Sequence, residues 1–261
     1  MTEFSAYKQY TRQVERLVDD DVNADRFFNS LNTENQYIQY EDNISQIFDS
    51  FEKWSNRDFI IFPTTIQIYN KDTKERSTHS ILLIWKDSEL YLYDPNGVYN
   101  TEEMKYYESV GHELQQDYGY EYKNEYFGST EKFQSFIKQT YHLDLHVPKY
   151  IGAQVWLQIE ENTSYIGGGG YCMFFNYMVI EYILKNHTKK FSSIYNTITT
   201  PPFRGVFPKP ASKTNALNGN ARENTFEGKT FAIVEKVFSY NGGKRTYTRR
   251  KKVVKRNTVR K

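Results

Sequence analysis

The segment YCMFFNYMVIEYILKN, residues 171–186, constrains the fold of this chain more than any other stretch. Its apolar side chains occur nearly all round a helical period, whereas a surface helix carries them in one stripe. A helix of this kind must be covered on most of its sides, so the remaining elements have to pack around it. The sequence therefore predicts a buried central helix.

The only cysteine of the chain, Cys172, lies at the start of this helix, directly after Gly167–Gly170 and Tyr171. Unpaired N–H groups and the positive end of the helix dipole favour a thiolate there, and the thiolate is the nucleophilic form. The glycines let an extended substrate approach the backbone closely. The alternative is a small buried hydrophobe, the commonest role of a free cysteine. The position favours a candidate nucleophile.

Two segments predicted to form a β-hairpin carry a histidine and an aspartate at one end. The strands are HSILLIW, residues 79–85, and LYLYD, residues 90–94, with a tight turn between them. Because a hairpin returns to the same end of the sheet, His79 and Asp94 are expected side by side. Each residue taken alone is ordinary for a strand end. Together they favour a catalytic base whose tautomer and charge are set by a carboxylate.

Two glutamines are candidates for the donor that stabilises a developing oxyanion. The apolar segment YIGAQVWLQI, residues 150–159, is predicted to be a buried strand and contains Gln154 and Gln158. A glutamine buried among apolar residues is costly unless its amide is hydrogen-bonded. Either amide, together with the backbone N–H of Cys172, could hold the negative oxygen.

The rest of the pattern predicts several further helices and strands. Residues 4–53 mix charged and apolar residues in a helical manner, and Asn100 and Glu103 have the spacing of a capping box. The full set comprises helices within 4–53, about 100–117 and 130–142, strands at 58–69 and 230–238, and a surface loop over 200–229.

Charge is divided unevenly along the chain. Residues 244–261 hold 10 of the 34 Lys and Arg residues and no acidic residue, so the other 243 residues carry 24 basic against 32 acidic side chains, a net charge of −8. This net acidity argues against nucleic-acid recognition by residues 1–243, because proteins that recognise nucleic acids need a basic face. The tail is predicted to be disordered. It suits contact with nucleic acid or an acidic protein, or a nuclear-localisation-like signal, and a solvated tail without a specific partner is the alternative.

Composition predicts a folded protein of a reducing compartment. Aromatic residues make up 17% of the chain, which is typical of a packed core. The sequence has no apolar run of about 18 residues and no signal-peptide core in residues 1–30, so neither a membrane span nor secretion is predicted. A single cysteine excludes an intrachain disulfide, which agrees with an intracellular setting.

No metal or cofactor is predicted. His142, Asp144 and His146 have a spacing that permits a metal site on a strand. The stronger interpretation is the end of a helix entering a loop, because no other Cys or nearby His completes a ligand set. The run Gly167–Gly170 lacks the Lys-Ser/Thr that follows in a phosphate-binding loop.

The order of these residues resembles the adenovirus-proteinase/SUMO-specific-protease group of cysteine peptidases, and most closely the branch encoded by large DNA viruses. The resemblance covers about residues 75–190. It is carried by His79-Ser-Ile-Leu-Leu-Ile-Trp85, Asp94-Pro-Asn-Gly97, Gly152-Ala-Gln154 and Gly169-Gly170-Tyr171-Cys172. The cellular members usually have Trp after the histidine and Gly after the cysteine, where this chain has Ser80 and Met173.

The resemblance implies an α+β fold with a papain-like core and hydrolysis of peptide or isopeptide bonds. It implies that Cys172 is the nucleophile, His79 the general base, Asp94 its orienter and Gln154 the oxyanion-hole amide. The substrate would be a viral structural precursor or a ubiquitin-like conjugate, with cleavage after Gly-Gly or small residues. The competing hypothesis is a non-catalytic virion or DNA-associated protein that retains the fold.

These expectations define four regions and a location. The regions are an N-terminal helical region at 1–57, the peptidase core at 58–199, a Pro/Gly-rich loop with a short strand at 200–243, and the basic tail at 244–261. The expected location is the host cytoplasm, in a viral factory, or the virion. The basic tail would allow entry into the nucleus.

Overall fold

The computed structural model describes residues 24–25, 28–29, 31–32, 35–69, 76–98, 120–122, 125–127, 129–154, 156, 171–203 and 205–207. Its helices are α1 (Ile44–Asp49), α2 (Phe51–Trp54), α3 (Thr130–Tyr141), α4 (Tyr171–Lys185) and α5 (Phe191–Ile198). Its strands are β1 (Phe59–Tyr69), β2 (Arg76–Lys86), β3 (Glu89–Tyr93), β4 (Gly97–Val98), β5 (Tyr120–Tyr122), β6 (Glu125–Phe127), β7 (Leu145–His146) and β8 (Tyr150–Ile151). No helix in this part of the chain is long and apolar enough to cross a membrane.

The described residues form a mixed α+β fold around a mixed sheet. The main sheet has the order β1-β2-β3-β7, with β1, β2 and β3 antiparallel and β7 parallel to β3. Two smaller pairs, β4-β8 and β5-β6, complete the strands. The α+β class expected from the sequence is confirmed at this level.

The β2–β3 hairpin has the predicted position and a tighter turn. Lys86 pairs with Glu89, so only Asp87 and Ser88 form the loop, with φ angles of 54° and 66°. Positive φ at both residues gives the primed turn whose twist matches the two strands. This turn sets the register in which Leu82 lies opposite Tyr93, the residue before Asp94.

Helix α4 is the buried central helix that its sequence predicts. Every residue from Cys172 to Ile180 is buried, and the helix packs against β2. Helix α5, which the sequence does not predict, lies against β3. Its Tyr195 hydroxyl donates to the carbonyl oxygen of Leu92 at 2.6 Å.

Two predicted elements differ from the structure. Residues 37–41 lie in the stretch expected to be helical, yet they run beside β1, where Gln39 N–H donates to the Ile61 carbonyl and Ile61 N–H to the Tyr37 carbonyl. These bonds satisfy the outer edge of β1, which a helix could not do. The predicted strand 150–159 is present at Tyr150–Ile151 and wrong at residues 152–154 and 156, which bend into a helical turn.

The bend after β8 follows from close packing of two chain segments. Gly152 N–H donates to the Asn96 carbonyl at 3.0 Å and Gln154 N–H to the Pro95 carbonyl at 2.9 Å. Trp156 N–H then donates to the Gly152 carbonyl, as in a helix. A chain that follows the Pro95–Gly97 turn in this way cannot continue as a strand.

Several predictions fall outside the described residues. They concern the helix at about 100–117, the strand at 230–238, the glycine run 167–170, Gln158 and the basic tail 244–261. The loop expected from residue 200 is described only to residue 207, and there it consists of turns.

Replacing Gly152 by Ala should destabilise the fold strongly. A Cβ at this position would overlap the backbone of Pro95, Asn96 and Gly97, and overpacking against backbone costs about 3 kcal/mol. Gly205→Ala is the matched control: its φ is +78° but no atom lies within 4 Å of the added Cβ, so only the left-handed conformation is penalised, by about 1 kcal/mol. Urea unfolding of both variants measures the difference, and equal losses would contradict the close contact.

Candidate active site

The site lies where the end of the β2–β3 hairpin meets the start of α4. His79 is on β2, Asp94 directly follows β3, and Cys172 is the second residue of α4. His79 is 4% exposed, Asp94 is 0% exposed and Cys172 is 8% exposed. The structure thus brings together three of the four predicted site residues, from positions up to 93 residues apart in the sequence.

The contact between His79 and Asp94 is the shortest described link within this group. The His79 Nε2 atom lies 2.7 Å from the Asp94 Oδ1 atom. The side chain of Cys172 also hydrogen-bonds this imidazole. The imidazole therefore interacts with both a carboxylate and a thiol, the two neighbours of the histidine at a cysteine nucleophile.

These neighbours change the proton affinity of His79. Burial disfavours the charged ring, but the charge and hydrogen bond of Asp94, followed by those of Cys172, outweigh it and raise the pKa of His79 to about 10. The ring is accordingly an imidazolium at neutral pH. The carboxylate of Asp94, 2.7 Å away, balances this buried positive charge.

Asp94 is fixed by its backbone as well as by its side chain. Its N–H donates to the Tyr150 hydroxyl at 2.7 Å, and the same hydroxyl donates to the Asp94 carbonyl at 2.8 Å. The Asn96 N–H donates to Asp94 Oδ1 at 2.8 Å, and Gly97 N–H donates to the Asp94 carbonyl at 3.0 Å. The backbone of Asp94 is therefore held at both its N–H and its carbonyl, and rotation of the carboxylate away from His79 would break the bond from the Asn96 N–H as well.

Cys172 also receives a hydrogen bond from the backbone of β2. The Ser80 N–H donates to Cys172 Sγ at 3.4 Å, and the Asn176 Nδ2 donates to Ser80 Oγ at 2.9 Å. Ser80 is 2% exposed and Asn176 is fully buried. This link between β2 and α4 joins the residue after the histidine to the first turns of the helix.

Gln154 is attached to the same corner through its backbone, but not in the predicted strand. It lies in the helical turn after β8, and its N–H donates to Pro95, the residue after Asp94. Its Oε1 atom is buried and accepts no hydrogen bond from the described residues. The neighbouring candidate, Gln158, lies outside them.

Two of the other histidines lie at and after the end of α3. His142 ends α3 with a φ of 58°, as expected for the end of a helix entering a loop. His146 stacks on Tyr91 with ring centroids 4.7 Å apart. Across the described residues, no group of three or more His, Cys, Asp or Glu side chains is placed to hold a metal ion.

Three residues of the site were missed by sequence reasoning. Asn176 had a visible signal, because it is the one strongly polar residue in the run Cys172–Ile180 and lies one helical turn after Cys172. Ser80 follows the candidate base directly. Tyr150 had no signal in the sequence, since only tertiary packing brings its hydroxyl to the backbone of Asp94.

The chain was compared with known protein families, curated proteins and solved structures. No protein-family model, curated protein or solved structure matches the chain. The candidate site is therefore described by its own geometry.

The raised pKa of His79 predicts a specific pH dependence of stability. Because about 10 lies above the value of about 6.5 for an unfolded histidine, the contribution is fully present below about pH 6.5 and is lost as pH rises through about 10. The unfolding free energy of the wild type should therefore fall over this window, and His79→Gln should flatten the fall by about 1 kcal/mol per pH unit. Urea unfolding from pH 6 to 10 measures it.

The control for this experiment is His187→Gln. His187 is exposed just beyond the end of α4, where its ring nitrogen contacts the Leu184 carbonyl, so this variant should keep the wild-type slope. The same slope in His79→Gln and the wild type would contradict a buried imidazolium.

Proposed function

We propose that this chain is a cysteine peptidase that hydrolyses peptide or isopeptide bonds, similar to the adenovirus-proteinase/SUMO-specific-protease group and built on a papain-like core. The observation that carries the proposal is the buried Asp94–His79–Cys172 arrangement, with Cys172 in the first turn of the central helix. The mixed α+β fold around α4 agrees with such a core.

The proposed reaction begins with the thiolate of Cys172. Its sulfur attacks the carbonyl carbon of the scissile bond, and the imidazolium of His79 gives a proton to the departing amine. The resulting thioester is hydrolysed by a water molecule that transfers a proton to the now neutral imidazole. Asp94 holds the ring in the orientation that both steps need and stabilises its charge.

The negative oxygen of the intermediate needs donors close to Cys172. The backbone N–H of Cys172 at the start of α4 is one, since N–H groups in the first turn have no partner within the helix. The amide NH2 of Gln154 is the proposed second donor. Its attachment to Pro95 holds Gln154 on the Asp94 side of the site.

The nature of the substrate is proposed from the resemblance and from charge. A body with a net charge of −8 outside the tail suits basic or neutral polypeptides better than nucleic acid. The proposed substrates are viral structural precursors or ubiquitin-like conjugates, with the protein acting in a viral factory or in the virion. The basic tail 244–261 is the proposed contact for nucleic acid or an acidic protein.

The reactivity of Cys172 tests the proposal without knowledge of the substrate. Iodoacetamide should alkylate the wild-type thiolate rapidly at pH 7, and His79→Ala should slow this reaction roughly tenfold because it removes the cation that stabilises the thiolate. Asp94→Asn should have the same direction of effect. Rates are measured by intact mass, with thermal unfolding to show that each variant is folded.

Tyr195→Phe is a control that removes a buried hydroxyl whose hydrogen bonds go to the Leu92 and His146 carbonyls. It should react at the wild-type rate. Slow alkylation of the wild type, unchanged in His79→Ala, would contradict the peptidase proposal and favour a non-catalytic protein that retains the fold.

A further inference from the structure

We propose that Asn176 is a positioning residue that acts through Ser80 to hold a backbone N–H on the sulfur of Cys172. The inference rests on the proposed function, because it assigns a role to residues around the same nucleophile. Asn176 lies four residues after Cys172 in α4, so the two side chains share one face of the helix.

One residue of β2 connects both positions on that face. Ser80 donates its N–H to Cys172 Sγ at 3.4 Å and accepts a hydrogen bond from Asn176 Nδ2 on its Oγ at 2.9 Å. Asn176 therefore anchors the backbone of Ser80 to α4 one turn away from the sulfur. Any slide of β2 along the helix would break both bonds together.

The burial of Asn176 indicates that this residue does not serve to maximise the stability of the fold. The residue is fully buried in a helix whose other residues from Cys172 to Ile180 are also buried, and its Oδ1 atom accepts no hydrogen bond within the described part of the chain. A buried amide that is only half satisfied is less stable than an apolar side chain of similar shape. What the amide achieves here is the fixed position of Ser80.

That position matters for the charge on sulfur. A hydrogen bond to an ionised acceptor is about twice as strong as one to a neutral acceptor, so the Ser80 N–H favours the thiolate over the thiol. His79 stabilises the same charge through its imidazole. Ser80 therefore adds a donor whose direction is fixed by the strand and by Asn176.

Ser80 also explains a departure from the resembled group. The cellular enzymes usually have Trp after the histidine, whereas here the side chain at that position is buried and directed at α4. Within the proposed function, this position holds the strand to the helix.

The double variant Ser80→Ala/Asn176→Leu separates positioning from stability. Each single change leaves a buried polar group without its partner, but the double change removes both partners and fills the space with apolar groups, so the fold should keep nearly its wild-type stability. The N–H of residue 80 remains but loses its anchor. We expect the midpoint of the pH profile for alkylation of Cys172 by iodoacetamide, in the full chain, to rise by about one pH unit.

Two further variants complete the experiment. Tyr195→Phe removes a buried hydroxyl that donates to the Leu92 and His146 carbonyls and should lower stability without moving the midpoint, so a general loss of stability is recognised. If the double variant does not fold, Ser80→Ala carries the test, and its midpoint should move in the same direction. Peptidase activity is not required for any of these measurements.

The outcomes distinguish this inference from the proposed function. A higher midpoint in the double variant than in the wild type supports the inference. A midpoint that the double variant leaves unchanged, while His79→Ala still slows alkylation, overturns the role of Asn176 alone. Alkylation that His79→Ala does not slow overturns the proposed function, and this inference with it.

Discussion

The ionic hydrogen bond between His79 and Asp94 is the interaction on which the rest of the site depends. Both side chains are buried, and a buried carboxylate or imidazolium left alone would be strongly destabilising. Paired at 2.7 Å, the two groups balance each other's charge, and the Asn96 N–H adds a hydrogen bond to the carboxylate. The side chain of Cys172 on α4 interacts with the same imidazole, so the hairpin and the central helix meet at this point.

The surrounding architecture serves to keep Asp94 in place. The two-residue turn at Asp87 and Ser88 sets the register of the hairpin, so that β3 ends directly before Asp94. The Tyr150 hydroxyl makes two hydrogen bonds to the backbone of Asp94. Gly152 has no side chain, so the chain after β8 lies directly against the Pro95–Gly97 turn. As a consequence, residue 152 cannot carry a side chain without overlapping the backbone of that turn.

Much of this arrangement follows from local sequence signals, and the rest requires tertiary packing. The all-round apolar pattern of 171–186 predicts the buried helix, and the hairpin pattern predicts that His79 and Asp94 approach each other. The apolar neighbours of Gln154 favour a strand. In the structure, hydrogen bonds to the Pro95–Gly97 turn, more than 50 residues earlier in the chain, bend this segment instead. The double bond of Tyr150 to Asp94 is equally non-local, and no periodicity in the sequence indicates it.

The site depends on a buried positive charge on His79, whose imidazole interacts with both Asp94 and Cys172. Nitrogen NMR of the imidazole in the full chain measures this most directly, with Asp94→Asn as the comparison. We expect both ring nitrogens of His79 to be protonated at pH 7.5, and the ring to lose a proton only as the pH approaches about 10. In the Asp94→Asn variant, the His79 imidazole should lose its proton at a lower pH. A neutral ring at pH 7.5, titrating near 6.5 as in an unfolded chain, would contradict it.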